Sequence, residues 1–382
     1  MARGLPGAGP HAGAAGRRGL GQRWRPPRGR RLLRHGGRPV PGGRDSSRAL
    51  GAGRHRRGAP SRRVRRGRRP RDVPRDAGPS RRPHVQLRDG SQVVGGPLLD
   101  AEEVSAFHTD GFVRVERLIP DDVVAPLHDR FDRIFRGEFE TGVAPDEVNW
   151  QEGSGDPTLT RQVCNGWRAD HLVAAIVLSP LLGHALAALA GWPGARIIQD
   201  NLLWKPPGAR SVGFHRDNAY LAWYRPQEMA TCWIALDATS ASGGTVEFAR
   251  GSHLWATGEE PLMEFHAPPD HRAPVEAAAA AEGVGPDLVP VEVPAGGGSF
   301  HHGWTWHGSG PNLTDVNRRA LVLHCASSGA RFNRDGFGVG NGPVYSRYAH
   351  EGDDVMDEAH FPILWRDDGY RTPGLDSLTD QL

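Results

Sequence analysis

The chain has 382 residues with 47 basic and 44 acidic side chains, and its net charge of +3 hides two opposed segments. Residues 1–84 carry 25 Arg, 3 Asp and no Lys, a net +22, whereas the remaining 298 carry 22 basic and 41 acidic groups, a net −19. Three widely spaced cysteines (Cys164, Cys232, Cys325) exclude a disulfide scaffold and a zinc ribbon and fit a reducing cytoplasm, and no run approaches the ~20 apolar residues of a membrane helix.

Arg, Gly and Pro supply 53 of the first 84 residues, too little apolar surface to offset ordering entropy. Residues 1–84 are therefore expected to be disordered, and one folded domain is expected over 85–382. The arginines raise a nucleic-acid-associated role for this head, yet only Trp24 could stack on a base and no RNA-binding motif follows, so a nucleic-acid partner is not expected. The Arg pairs lack the apolar run of an export signal. Arg, Gly, Pro and Ala are also the residues of GC-rich codons, and Lys205 is the sole lysine. A second expectation is that residues 1–84 arise from reading upstream of the true start. A native intact mass equal to that of the full chain would refute it.

From Leu98 the texture changes. Pro120-Asp121-Asp122 opens a helix with Val124, Leu127, Phe131, Ile134 and Phe135 at i, i+3, i+4 spacing and two acids in the first turn. Leu172–Leu178 and Leu181–Leu189 read as two more helices, broken at Ser179-Pro180. The period then becomes two, in Ile197–Lys205, Val212–Asp217, Thr231–Asp237, Thr245–Ala249, Leu288–Val293 and Arg318–Cys325, separated by turn residues. Helices followed by strands give an α+β class with an antiparallel sandwich or barrel. The connection from Trp255 to Asp287, with a short Ala-rich helix, has the length of a lid or binding loop. In Ile197–Lys205, strict alternation puts Gln199, Asn201 and Lys205 on one face with Ile197 and Leu203, and Ile198, Asp200, Leu202 and Trp204 on the other. The first face is either solvated or the lining of a barrel.

Two His-x-Asp triplets occur among 18 histidines. His108-Thr-Asp110 precedes Gly111 and reads as a helix-to-strand turn. His215-Arg-Asp217 follows a β-like run, where residues i and i+2 share a side and can give two ligands to one ion. A third ligand is available from His301, His302 or His307, and a 2-His-1-carboxylate set leaves positions open on Fe(II) for a bidentate co-substrate and O2. A kinase catalytic loop is excluded, because Ala222 stands where its Asn is required. Arg318 opens an interior-type strand eleven residues after His307, and a guanidinium there needs an anion such as a dicarboxylate.

Together HTDGFVRVERLI (108–119), QDNLLWKPPG (199–208), HRDNAY (215–220), TCWIALD (231–237), GGTVEFARGSH (243–253), HGWTWHGSGPN (302–312) and Arg318 resemble the phytanoyl-CoA dioxygenase family of Fe(II)/2-oxoglutarate oxygenases, in family order over roughly residues 100–330. The resemblance implies a double-stranded β-helix (jelly-roll, cupin-like) core with helices packed outside. It implies His215, Asp217 and His307 as iron ligands, Arg318 as the clamp for the distal carboxylate of 2-oxoglutarate, and Asn201, Trp233 and Ser309 as co-substrate contacts. His302 matches a family histidine that is not a ligand, and His301 is taken as incidental. Halogenating members carry a small residue in place of the carboxylate, so Asp217 implies hydroxylation, desaturation or cyclisation, with release of succinate and CO2.

The acidic field of residues 85–382 disfavours an acyl-CoA and favours a neutral or cationic small metabolite. Gln199, Lys205 and Trp304 are candidate substrate contacts, with Trp204, Trp223, Tyr224 and Trp306 as further pocket aromatics. Loop 255–287 and the tail after Ala326, including Trp365, are expected to shape specificity. Two other classes compete: a non-redox metal hydrolase on a cupin-like barrel, which gives Arg318 no special role, and a nucleic-acid-associated protein directed by the Arg-rich head.

Overall fold

A computed structural model describes residues 98–379 other than 154, 258–260 and 262–265. The expectations for residues 1–84, including the domain boundary at 85, lie outside the described residues.

Helix α1 (Ala101–Asp110) begins with a capping box between Asp100 and Glu103 and ends on Gly111, whose φ of 84° is open to glycine without strain. The His108–Gly111 stretch is thus the expected helix-to-strand turn, and Asp110 pairs with Arg250. After β1 (Phe112–Val115), Pro120 precedes α2 (Asp121–Phe135), which buries Val124, Leu127, Phe131, Ile134 and Phe135 as their spacing requires. Strands β2 (Glu147–Val148) and β3 (Arg161–Cys164) lead to α3 (His171–Val177) and α4 (Pro180–Ala190), which meet at Ser179-Pro180. By length and mean hydropathy of 2.1, residues 171–190 would pass as a membrane span, contrary to expectation; 72% of the span is buried inside the fold.

The strands follow: β4 (Gly194–Lys205), β5 (Val212–His215), β6 (Tyr224–Arg225), β7 (Ala230–Ala235) and β8 (Val246–Ala249). Helix α5 (Ala273–Ala281) interrupts them before β9 (Leu288–Pro290), β10 (Gly298–His302), β11 (His307–Ser309), β12 (Arg318–Ser327) and β13 (Arg331–Phe332). The tail adds α6 (Gly342–Tyr345), β14 (Ile363–Arg366) and α7 (Leu375–Thr379).

Two antiparallel sheets form the core. The larger runs β1-β10-β7-β12-β4-β3-β2 with β14 beside β4, and the smaller runs β5-β11-β8-β9. Alternation along β12 decides which side each residue serves. Leu321, Leu323 and Cys325 join the helices in one apolar cluster, while Ala320 and Val322 pack between the sheets with Trp233, Val246 and Phe248. Each fully buried Leu or Phe there contributes about 1.5–3 kcal/mol. The result is the expected α+β fold with a jelly-roll core.

Two local expectations fail. The pairing of β12 with β4 sets His324 opposite Gln199 but Cys325 opposite Ile197, a bulge at Ile198. Ile197 therefore joins Leu202 on the helix side, and Ile198 joins Trp223 and Tyr345 instead. Strand β5 also ends at His215, so Asp217 opens a short 3-10 turn, Asp217–Tyr220.

Candidate metal centre

Strands β5 and β11 are neighbours, and their register places His215 opposite His307 with ring centroids 4.3 Å apart. Each ring is oriented by its own backbone: His215 Nδ1 donates to Gly213 O at 2.9 Å and His307 Nδ1 to Thr305 O at 3.0 Å. A carbonyl only accepts, so each Nδ1 carries the proton and each Nε2 presents a lone pair. Both lone pairs converge on Asp217 Oδ1, at 3.7 Å from His215 and 3.5 Å from His307. The turn after β5 brings Asp217 in, rather than the pleat of a strand.

These three ligand atoms lie within 4.8 Å of one another, the one such His/Cys/Asp/Glu grouping among the described residues. Burial pushes both imidazoles down to about 4, so they are neutral at pH 7. Burial alone would raise the Asp217 carboxyl, but His307, the hydrogen bond from His301 and His324 hold it well below the usual carboxylate range. Two neutral imidazoles and one carboxylate, pre-oriented and buried, fit Fe(II).

The other oxygen of Asp217 meets residues that the sequence did not single out. His301, taken as incidental, places Nε2 3.2 Å from Oδ2 and is 2% exposed. Thr231 donates to the same oxygen, and His324 stands behind Thr231. Asn201, expected beside the co-substrate, engages His324 and Gln199. Gln199, expected to touch substrate, is held by Tyr345 and Asn341 of the tail. The His302 ring packs on Phe107 and His253.

A second polar centre lies at Ser309, two residues along β11. Arg318 is buried and donates through Nε and Nη2 to Gly244 O at 3.1 and 2.8 Å, with its guanidinium 5.9 Å from the Trp233 ring. Directly opposite on β4 stands Lys205, fully buried, with Nζ 2.7 Å from Ser309 Oγ and also bonded to Gly310 O. Among the described residues neither cation has a carboxylate within ion-pair distance. Burial, and then Arg318, push the Lys205 ammonium well below its ordinary value, and burial brings Arg318 to about 10. Two buried cations without an acid are a seat for an anion. Arg318, Trp233, Ser309 and Lys205 gather here.

The remaining aromatic candidates pack against neighbouring side chains. Trp304 lies over the Arg216 guanidinium at 5.1 Å, and Trp204 packs against Arg161 and Phe135. Trp223 stacks on Tyr345, Tyr224 donates to Glu228 O, and Trp306 packs with Phe214. Trp365 lies against His184 on α4. Arg216, between two candidate ligands, points the other way and donates to the carbonyls of Ser252, Trp255, Thr257 and Trp304. From the described part of loop 255–287, Arg272 pairs with Glu247 on β8 at 2.7 Å, and His271 O accepts from Phe214 N on β5.

Comparisons with known proteins bear on the family and the fold. The phytanoyl-CoA dioxygenase (PhyH) family profile matches residues 107–320. A probable alpha-ketoglutarate-dependent hypophosphite dioxygenase of Stutzerimonas stutzeri is 28% identical over 240 residues, covering 60% of this chain and 79% of that protein. Human peroxisomal phytanoyl-CoA dioxygenase is 22% identical over 254 residues, 62% of this chain and 70% of that one. Among solved structures, the non-haem alpha-ketoglutarate-dependent carbocyclase SnoK of nogalamycin biosynthesis aligns with a TM-score of 0.54 at 25% identity, covering 70% of this chain and 99% of SnoK. The epimerase SnoN, solved with Fe3+, alpha-ketoglutarate and nogalamycin RO, shares the fold at a TM-score of 0.52 and 20% identity, over 69% of this chain and 97% of SnoN.

Proposed function

The chain belongs to the phytanoyl-CoA dioxygenase family, and from that premise we propose that His215, Asp217 and His307 hold its Fe(II) while Arg318 and Lys205 seat the distal carboxylate of 2-oxoglutarate. It is an Fe(II)- and 2-oxoglutarate-dependent oxygenase. Bound iron supplies the redox chemistry that couples O2 and the oxidative decarboxylation of 2-oxoglutarate, to succinate and CO2, with oxidation of a substrate C–H bond.

The observation that carries the site assignment is the layout of β11. His307 belongs to the metal donor set and Ser309 accepts from Lys205. Residues two apart on a strand face lie about 7 Å apart, the reach of a five-carbon dicarboxylate. The protein's own groups orient the imidazoles through Gly213 O and Thr305 O and hold the Arg318 fork on Gly244 O. Trp233 closes one side of that fork and keeps water from it. A hydrolase reading leaves the two acid-free cations without a role.

The substrate we propose is a neutral or cationic small metabolite, hydroxylated, desaturated or cyclised, because residues 85–382 carry a net −19. We place the enzyme in the cytoplasm, where its three buried free thiols would stay reduced. Anaerobic addition of Fe(II) and then 2-oxoglutarate to the full chain tests the site. A visible charge-transfer band in the wild type that disappears in His307→Ala is expected. A folded wild type without the band would overturn the assignment.

A further inference from the structure

Asp217 has two carboxylate oxygens, and the protein treats them differently. Oδ1 faces Nε2 of His215 and of His307, while Oδ2 lies 3.2 Å from His301 Nε2 and 3.3 Å from Thr231 Oγ1. His301 differs from the other two rings in its backbone contact: its Nδ1 is buried and has no hydrogen-bond partner. A carboxylate only accepts, so His301 carries its proton on Nε2, the tautomer opposite to that of His215 and His307. Its lone pair is on Nδ1, the nitrogen that does not face Asp217. It is therefore a donor to the ligand and not a third imidazole ligand.

The Thr231 hydroxyl is aimed by a chain of bonds whose direction is fixed throughout. Gln199 Oε1 accepts from Tyr345 Oη at 2.7 Å and from Asn341 Nδ2 at 3.1 Å, so its amide nitrogen donates to Asn201 Oδ1 at 2.6 Å. Asn201 Nδ2 then donates to His324 Nε2 at 2.9 Å, which puts the His324 proton on Nδ1. That Nδ1 donates to Thr231 Oγ1 at 2.9 Å, and the Thr231 hydrogen is left for Asp217 Oδ2.

We infer that His301 and Thr231 are positioning residues of the metal centre: they hold Oδ2 so that Asp217 presents Oδ1 alone, and the Thr231 donor is set by a relay that starts at Asn341 and Tyr345 in the tail. This rests on the metal assignment above. An oxygen held by two donors does not swing in as a second carboxylate ligand, and the imidazole of His301 adds bulk between β10 and the donor set, against Phe248 and His307 at 4.8 and 4.7 Å. The relay ties the ligand carboxylate to a segment beyond the family match, which ends at residue 320.

The test is anaerobic Fe(II) titration of the full chain, followed through the charge-transfer band with 2-oxoglutarate. A wild type without a band removes the metal assignment itself, whereas the inference is judged only on variants of a wild type that shows it. His301→Phe keeps a flat ring and deletes the donor; Fe(II) affinity is expected to fall about 10–100-fold, with a shifted band. His301→Gln, whose amide nitrogen replaces Nε2, is expected to recover most of the affinity, which a loss of packing alone would not allow. Wild-type affinity and an unshifted band in His301→Phe would overturn the inference. If that variant does not fold, Thr231→Val is read in its place: weakened Fe(II) binding supports the clamp, and unchanged binding overturns it.

Discussion

The metal centre and the cation pair at Arg318 are built on opposite plans. At Asp217 the protein surrounds one negative charge with its own donors, and burial leaves the neighbouring imidazoles neutral. At Arg318 and Lys205 it gathers two positive groups, buries both, and among the described residues gives them carbonyl and hydroxyl oxygens but no carboxylate. The first centre is organised by the protein's own hydrogen bonds. The second is in electrostatic deficit until an anion arrives, because buried charges lacking a counter-ion are costly. Metal affinity should therefore depend on orientation, and co-substrate affinity on charge.

Removing a cation probes the second half of that contrast. Arg318→Ala is expected to raise the 2-oxoglutarate concentration needed for half-saturation by on the order of 100-fold, the size of effect seen when one partner of a buried charge pair is truncated. Fe(II) affinity without co-substrate should be unchanged. Equal loss of both in the titration would collapse the distinction between the centres.

Lys205→Met sharpens the distinction by acting with opposite sign on two quantities. Co-substrate binding should weaken about tenfold, while the co-substrate-free protein should become more resistant to denaturant, because an ammonium displaced well below its ordinary range is replaced by an apolar chain of similar length. Loss of stability alongside loss of binding would show that Lys205 is satisfied by Ser309 and Gly310 alone.

A buried acid away from both centres gives a control that moves stability rather than binding. Asp200 is fully buried, accepts from the backbone N–H groups of Gly166 and Trp167, and is pushed up to about 7 by burial. Its native form holds a proton that the unfolded chain releases near pH 4, so its contribution to stability falls as pH rises from about 4 to about 7. Asp200→Asn should flatten that decline, by about 1.4 kcal/mol for each pH unit of displacement. Denaturant unfolding at pH 5 and pH 8 checks it, and an unchanged difference between the two pH values would remove Asp200 as the cause.

His215, Asp217, His307 and Arg318 were legible as candidates because the motif order singled them out; the structure brings the first three within 4.8 Å of one another and buries Arg318 opposite Lys205. His301 and His324 were missed although the pleat marks them. Phe300 turns to the helix side, so Ser299 and His301 face inward, and His324 shares the parity of Arg318, Ala320 and Val322. Ignoring parity along those two strands hid both. The bulge at Ile198 had no sequence signal, since the unpaired residue is a second isoleucine next to Ile197 and no Gly or Pro marks it. Lys205 was read on the inward face, but its place opposite Arg318 and beside Ser309 was not legible, because the end of a barrel that a side chain reaches depends on its cross-strand partner. The tail contacts to Gln199 are long-range pairings that no local pattern encodes.

Arg216 carries a warning for anyone who maps this enzyme by mutagenesis. Its guanidinium donates to four carbonyls, of Ser252, Trp255, Thr257 and Trp304, and so anchors the backbone between His215 and Asp217. An Arg216→Ala scan would score as the loss of a ligand, and a survey counting inactive variants would assign the metal one residue too many.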